Sequence, residues 1–268
     1  MAMEPVAVNA AAHSVPRRDL LVVGAGLIGV AALAWVYLLI DAAHMQMTQT
    51  EARASMSMHA KSTVDLLLLF LMWAVMMVAM MLPSAHPTVL MYAGIVRRFA
   101  PHQPVRSSTA FFVLGYVLAW TLFSVVATGL QWLLEALALL SPMMARASPF
   151  LGGLLLIASG LYQWTPIKDL CLTHCRSPLT FLAQNWRAGR TGAISMGAHH
   201  GLYCIGCCWA LMALLFVGGV MNLLWVAAIS VFILLEKLAP LGGKIGRAVT
   251  GVLAIAVGAI LIVFSWQS

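Results

Sequence analysis

Charge is what this sequence has least of. Asp, Glu, Lys and Arg together make up 9% of its 268 residues, against about a quarter in ordinary soluble domains. Too few polar groups remain to clothe a water-facing surface, which excludes a soluble globule. Acids are the scarcer half, eight against fifteen Lys and Arg. No paired carboxylates suited to general acid–base work occur, and no acidic cage for Mg²⁺ or Ca²⁺. A catalytic triad and a phosphate loop are also missing, so a hydrolytic or nucleotide-driven enzyme is not expected.

What fills the space is apolar: 62% of the residues, with a mean hydropathy of +0.96. Six uncharged stretches, 20–40, 66–82, 107–134, 147–167, 191–235 and 248–268, are each long enough to cross a hydrocarbon core about 30 Å thick. The fifth holds 45 residues, about 67 Å as one helix, and must fold back on itself. Gly218-Gly219-Val220-Met221-Asn222 supplies the turn. The expectation is therefore an all-α, multi-pass transmembrane bundle of about seven helices. Residues 1–19 form a tail and 20–268 a single membrane domain, with an outer loop at 41–63 and an inner loop at 165–190.

Basic residues orient it. With the N-terminus inside, the inner segments hold Arg17, Arg18, Arg97, Arg98, Arg106, Lys168, Arg176, Arg187, Arg190, Lys237, Lys244 and Arg247, and the outer ones only Arg53, Lys61 and Arg146. The positive-inside rule puts the N-terminus in the cytoplasm of a cell whose inner (plasma) membrane holds the bundle. The same residues, set against anionic headgroups, account for the net charge of +7 without a nucleic-acid partner. The first span is longer than a signal-peptide core and reads as a retained anchor. Its Gly24-Ala25-Gly26-Leu27-Ile28-Gly29 matches a dinucleotide fingerprint in letters only. No half-polar helix or second strand follows, so no nucleotide is expected and the glycines read as a helix-packing face.

Seventeen methionines, eight histidines and five cysteines form the unusual inventory, and they cluster in four places. The outer loop carries His44, Met45 and Met47, then Met56, Met58 and His59. A methionine in a polar loop has no core to fill, and thioether with imidazole suits Cu(I); an amphipathic turn lying on the leaflet is the other reading. The second span repeats Met72, Met76 and Met80, and again Met77 and Met81, at four-residue spacing, and ends at Pro83 with His86 just beyond. That spacing resembles the pore motif of the Ctr-type copper transporters over a few residues, although Met inside a membrane is also simply apolar. The inner loop places Cys171, His174 and Cys175 within about one helical turn, one ligand short of a closed zinc site. The fifth span opens with His200, Cys204, Cys207 and Cys208 at the i, i+4, i+7, i+8 positions of one helix face.

Depth relates the second cluster to the fourth. Met76, Met77, Met80 and Met81 lie about 2–10 Å from the inner end of their span, and the three cysteines about 7–14 Å from the inner start of theirs. Thiol and thioether from two helices can meet one ion at that level, with His86 and His200 at the mouth. A bound cation would offset thiolate charge in hydrocarbon. Glu236 and Lys237, at the inner end of the sixth span, read as interfacial anchors.

The stretch Met76 to Pro83, the segment from Lys168 to Pro178 and above all Gly201-Leu202-Tyr203-Cys204-Ile205-Gly206-Cys207-Cys208-Trp209, with Gly219-Val220-Met221-Asn222 and Glu236-Lys237, give the chain a family likeness. Over residues 66–240 it resembles an uncharacterised bacterial family of predicted metal-binding integral membrane proteins. The resemblance implies metal binding at the cysteines without naming the ion. The expected function is thus binding of a soft metal, Cu(I) with zinc as the second candidate, for transport or delivery to another membrane protein. Two other readings stay open: a thiol–disulfide relay through Cys204 and Cys207 with Cys171 and Cys175 as partners, and a structural subunit of a larger complex or a homo-oligomer.

Overall fold

The computed structural model describes residues 17–52, 63–100, 102–140, 146–238 and 244–266. Ten helices occur among them. In chain order they are α1 (Arg17–Ala52), α2 (Thr63–Phe99), α3 (Val105–Ala136), α4 (Pro149–Tyr162), α5 (Pro166–Arg176), α6 (Pro178–Gln184), α7 (Gly189–Ala213), α8 (Leu215–Gly218), α9 (Leu223–Leu238) and α10 (Lys244–Ser265). The all-helical expectation holds for the described residues. Five helices are long and apolar enough to cross a membrane, and α4 with α5, bent by 69°, raises that to six if the pair is one span. The sequence count of about seven includes α9, which has 16 residues, about 24 Å at 1.5 Å per residue.

Most boundaries lie close to the apolar runs, with two instructive departures. The sequence predicts that the second span stops at Pro83, yet α2 continues through Pro83 and Pro87 to Phe99. A proline inside a helix leaves the carbonyl four residues back without its amide. For Pro83 that carbonyl is Ala79 O, and Trp35 Nε1 of α1 donates to it at 3.2 Å. A neighbouring helix thus supplies the missing donor, and the helix survives. The fourth span breaks instead of running straight. Thr165 caps α5 by accepting from Lys168 N, and Pro166 stands at its first position, so a new helix starts in a new direction.

The fold-back in the fifth span falls where glycine and asparagine predict it. Gly219 takes φ +92°, a left-handed conformation open to glycine at little cost. Asn222 Oδ1 accepts from Trp225 N at 3.3 Å and starts α9.

The most extensive pairings are α3 on α7 and α4 on α10, followed by α3 and α1 on α2 and α5 on α7. Small residues set the closest of these. A Cβ at Gly197 of α7 would overlap the Phe112 carbonyl of α3, and one at Gly201 would sit 2.6 Å from Ala119 Cβ. Helices in apolar surroundings associate through such close contact. In the first span only Gly24 plays this part, with His86 Nε2 3.3 Å from where its Cβ would be, whereas Gly26 and Gly29 face open space. The outward faces of α1, α3 and α10 carry exposed Leu33, Val126 and Val263 among others. That surface suits hydrocarbon better than water.

Candidate metal centre

The one-face reading of α7 holds in three dimensions: His200, Cys204, Cys207 and Cys208 are all buried. Cys207 Sγ donates to the Cys204 carbonyl at 3.1 Å and Cys208 Sγ to the same oxygen at 2.9 Å, one helical turn back. Cys204 itself points outward from that turn into polar company. Its Sγ lies 3.1 Å from the Tyr116 hydroxyl of α3 and 2.8 Å from Lys237 Nζ of α9. The close approach permitted by Gly197 and Gly201 is what brings Tyr116 within reach. Lys237 Nζ also donates to Ser84 Oγ at 2.9 Å, and the Tyr116 hydroxyl to Met81 O at 3.1 Å, so α2 joins the same network.

Helix α5 delivers two more sulfurs, on Cys171 and Cys175. Gly206 of α7 makes room for the first, because a Cβ there would sit 2.6 Å from Cys171 Sγ. With Cys171 seated over Gly206, Cys175 one turn on reaches Cys207, the two Sγ atoms being 3.9 Å apart. The five cysteines are free thiols. Tyr162, at the end of α4, donates to the Gly206 carbonyl and holds the elbow against the same turn.

Charge braces this arrangement from behind. Lys168 of α5, 1% exposed, lies 2.8 Å from Glu236 Oε1 and donates to Oε2 at 2.9 Å. This pair ties α5 to α9, the helix that carries Lys237. Glu236 and Lys237 are therefore not anchors reaching for water. Both are buried and directed inward, Glu236 to α5 and Lys237 to α7. Their place at the end of an apolar run, shortly before Pro240, suggests a span end, but the partners that draw them inward come from distant segments. Tyr116 was missed for the same reason, since one tyrosine on an apolar helix carries no sequence mark of its own.

Other expected ligands are placed apart. Cys171, His174 and Cys175 do not share a centre: His174 stacks on Tyr203 with ring centroids 4.3 Å apart and its Nδ1 donates to Leu170 O at 2.9 Å. His86 does not join His200 at a mouth, because it packs against Gly24 of α1. Two residues of helical rotation from Ser84, it lies on the far side of α2. Met76, Met77, Met80 and Met81 are sealed in the core. The contacts that α2 makes with the cysteine network come from the Met81 carbonyl and Ser84. His44, Met45 and Met47 lie on the last turns of α1, and Met56, Met58 and His59 fall outside the described residues.

His200 differs from the others. Its ring is enclosed by Phe112, Tyr116 and Phe181, at centroid distances of 6.3, 5.7 and 5.5 Å, and its buried Nδ1 has no hydrogen-bond partner. A buried imidazole nitrogen left without a partner is costly. Among the described residues no group of three or more His, Cys, Asp or Glu side chains stands in position to hold a metal ion. The sulfurs of α5 and α7 are gathered, with an ammonium group on one of them. By chemistry alone, thiol and imidazole are the donor types that suit a soft ion such as Cu(I) and suit Mg²⁺ or Ca²⁺ poorly.

The family model PpoB2, described as a copper chaperone, matches residues 70–261. That range takes in most of α2 and everything from α3 to most of α10. No curated protein and no solved structure matches the chain.

Proposed function

We propose that this chain, which belongs to the PpoB2 family of copper chaperones, is a membrane-embedded carrier that holds Cu(I) on the α7 and α5 thiols and passes it to a partner protein. The bundle lies in the inner (plasma) membrane with its N-terminus in the cytoplasm. Copper is the cargo. Cys204, Cys207 and Cys175, which do not stand in ligand position together beforehand, close on the ion as the holding set, with Cys208 and His200 on the same helix, and zinc is the ion to exclude by experiment. The methionine- and histidine-bearing segment from His44 to His59 serves capture on the outer side.

One observation carries this reading: Lys237 Nζ rests 2.8 Å from Cys204 Sγ inside the bundle. A cation already stands where a soft metal would bind. Loading moves the ammonium group off the sulfur while Ser84, 2.9 Å away, keeps it close. Its return favours release. A carrier needs that balance, because a site of unopposed affinity would trap its ion.

Elemental analysis of anaerobically purified protein tests the proposal. Wild type is expected to retain copper and Cys204→Ser/Cys207→Ser/Cys208→Ser to lose most of it; equal contents would overturn the site. The alternative thiol–disulfide reading draws support from the approach of Cys175, one of its expected partners, to Cys207 at 3.9 Å. Intact mass on the same samples separates the two functions. A chain lighter by two hydrogens, with no copper, is the relay's signature.

A further inference from the structure

The surface at the C-terminal end of α5 carries a pattern that holding an ion does not explain. From residue 170 to residue 203 the chain has no Asp or Glu, but it has Arg176, Arg187 and Arg190 together with His174, His199 and His200. Folding sets part of this group in a row. Ser195, His199 and Tyr203 recur every four residues and so share one face of α7. At one end of that face Arg187 Nη1 donates to Ser195 Oγ at 3.4 Å, and at the other the His174 ring of α5 stacks on Tyr203. His199 stands between them. Cys175 and Arg176 follow His174 directly on α5, so the row of Arg187, His199, His174 and Arg176 ends at a sulfur.

Exposure sets that sulfur apart. Cys204, Cys207 and Cys208 are buried, whereas Cys175 is part-exposed and Arg176, Arg187 and His199 are exposed. Because Cys175 also lies 3.9 Å from Cys207, it joins the surface to the interior of the holding set. The positive-inside rule accounts for arginines at this end of the bundle. It gives no reason for the imidazoles, or for arranging the row beside a thiol. No acid of α5 offsets the row either, since its one carboxylate, Asp169, is paired with Arg247 at 2.7 Å.

We infer that this row is the docking surface for the protein that takes the copper, and that this partner presents a thiol site rimmed by carboxylates. The inference rests on the carrier reading above and adds the partner's charge and its point of contact. A basic rim draws an acidic partner in and turns a basic one away. An anionic lipid headgroup would match the charge and leave the part-exposed thiol without a use. Once docked, a partner thiol bonds to Cu(I) as the bond to Cys207 breaks, and a second does so as the bond to Cys175 breaks. Each incoming thiol gives its proton to the sulfur it replaces, and no electron moves.

The test uses full-length protein in neutral detergent, loaded with Cu(I) and mixed with a metal-free Cys-x-x-Cys peptide flanked either by glutamates or by lysines. Transfer to the glutamate peptide should be about tenfold faster at low salt, and the advantage should vanish as salt is raised. Arg176→Glu/Arg187→Glu should reverse the preference, and the wild-type salt series decides the matter if that variant fails to fold. A Cys→Ser form of the glutamate peptide, titrated onto the copper-free chain, reads docking alone. A chain that holds no copper yet prefers this peptide to its lysine counterpart would sink the carrier reading and support the surface. Equal rates for the two peptides, or a preference indifferent to salt, would overturn the surface. So would phosphatidylglycerol that copurifies, resists the peptide and is lost from Arg176→Glu/Arg187→Glu, because the row would then belong to lipid.

Discussion

Helix α2 buries Met72, Met76, Met77, Met80 and Met81, and helix α7 buries Cys204, Cys207 and Cys208, so in burial the two are alike. Their surroundings differ. Against the α7 thiols stand an ammonium group, a phenol and a thiol from α5, with α7's own His200 one turn back, although cysteines and methionines belong to one hydrophobic core. Sulfur in a helix interior is by itself a packing choice. Polar groups brought in from other helices, at the expense of burying them, single out the cysteine side as the candidate site.

The strongest way to separate the two sides is to strike the charges that only the cysteine side has. Lys168→Met leaves Glu236 buried and unpaired, a change that costs about 3–5 kcal/mol. Denaturation in detergent should show it, and Lys168→Met/Glu236→Met should recover most of the loss. A change below about 1 kcal/mol in the single variant would mean that the pair is hydrated and the contrast overstated.

Lys237→Met comes next. Without the tethered cation competing for Cys204, copper retention against a Cu(I) chelator is expected to rise about tenfold, the equivalent of about 1.4 kcal/mol. Unchanged retention would reduce Lys237 to a structural role. The smallest effect belongs to α2. Met76→Leu/Met80→Leu keeps volume and should cost less than about 1.5 kcal/mol per site, with copper content unaltered. Copper lost from that variant would make the thioethers ligands and erase the distinction between the helices.

Much of this architecture is legible in the sequence because it rests on local chemistry. Apolar run length locates the long helices, Gly218 to Asn222 gives the reversal, and the spacing of His200, Cys204, Cys207 and Cys208 gives their shared face. What escapes depends on contacts between distant segments. Glu236 and Lys237 look like boundary residues until Lys168 and Cys204 draw them inward, 68 and 33 positions away. Gly206 has no mark that sets it apart from its neighbours, and its use as the seat for Cys171 emerges only with α5 in place. The elbow does leave a trace, since Thr165-Pro166 is a helix-start signature inside an apolar run.

The bond from Trp35 to the Ala79 carbonyl gives α1 a duty that its lipid-facing surface conceals. Residue 35 precedes the stretch the chain shares with its relatives, while residue 79 lies inside it. A fragment trimmed to the shared stretch would keep Pro83 and forfeit the indole that compensates it. Expression of such a fragment should yield a helix loosened one turn before Ser84, the residue that holds Lys237 beside the thiols, so the first helix belongs in any minimal unit.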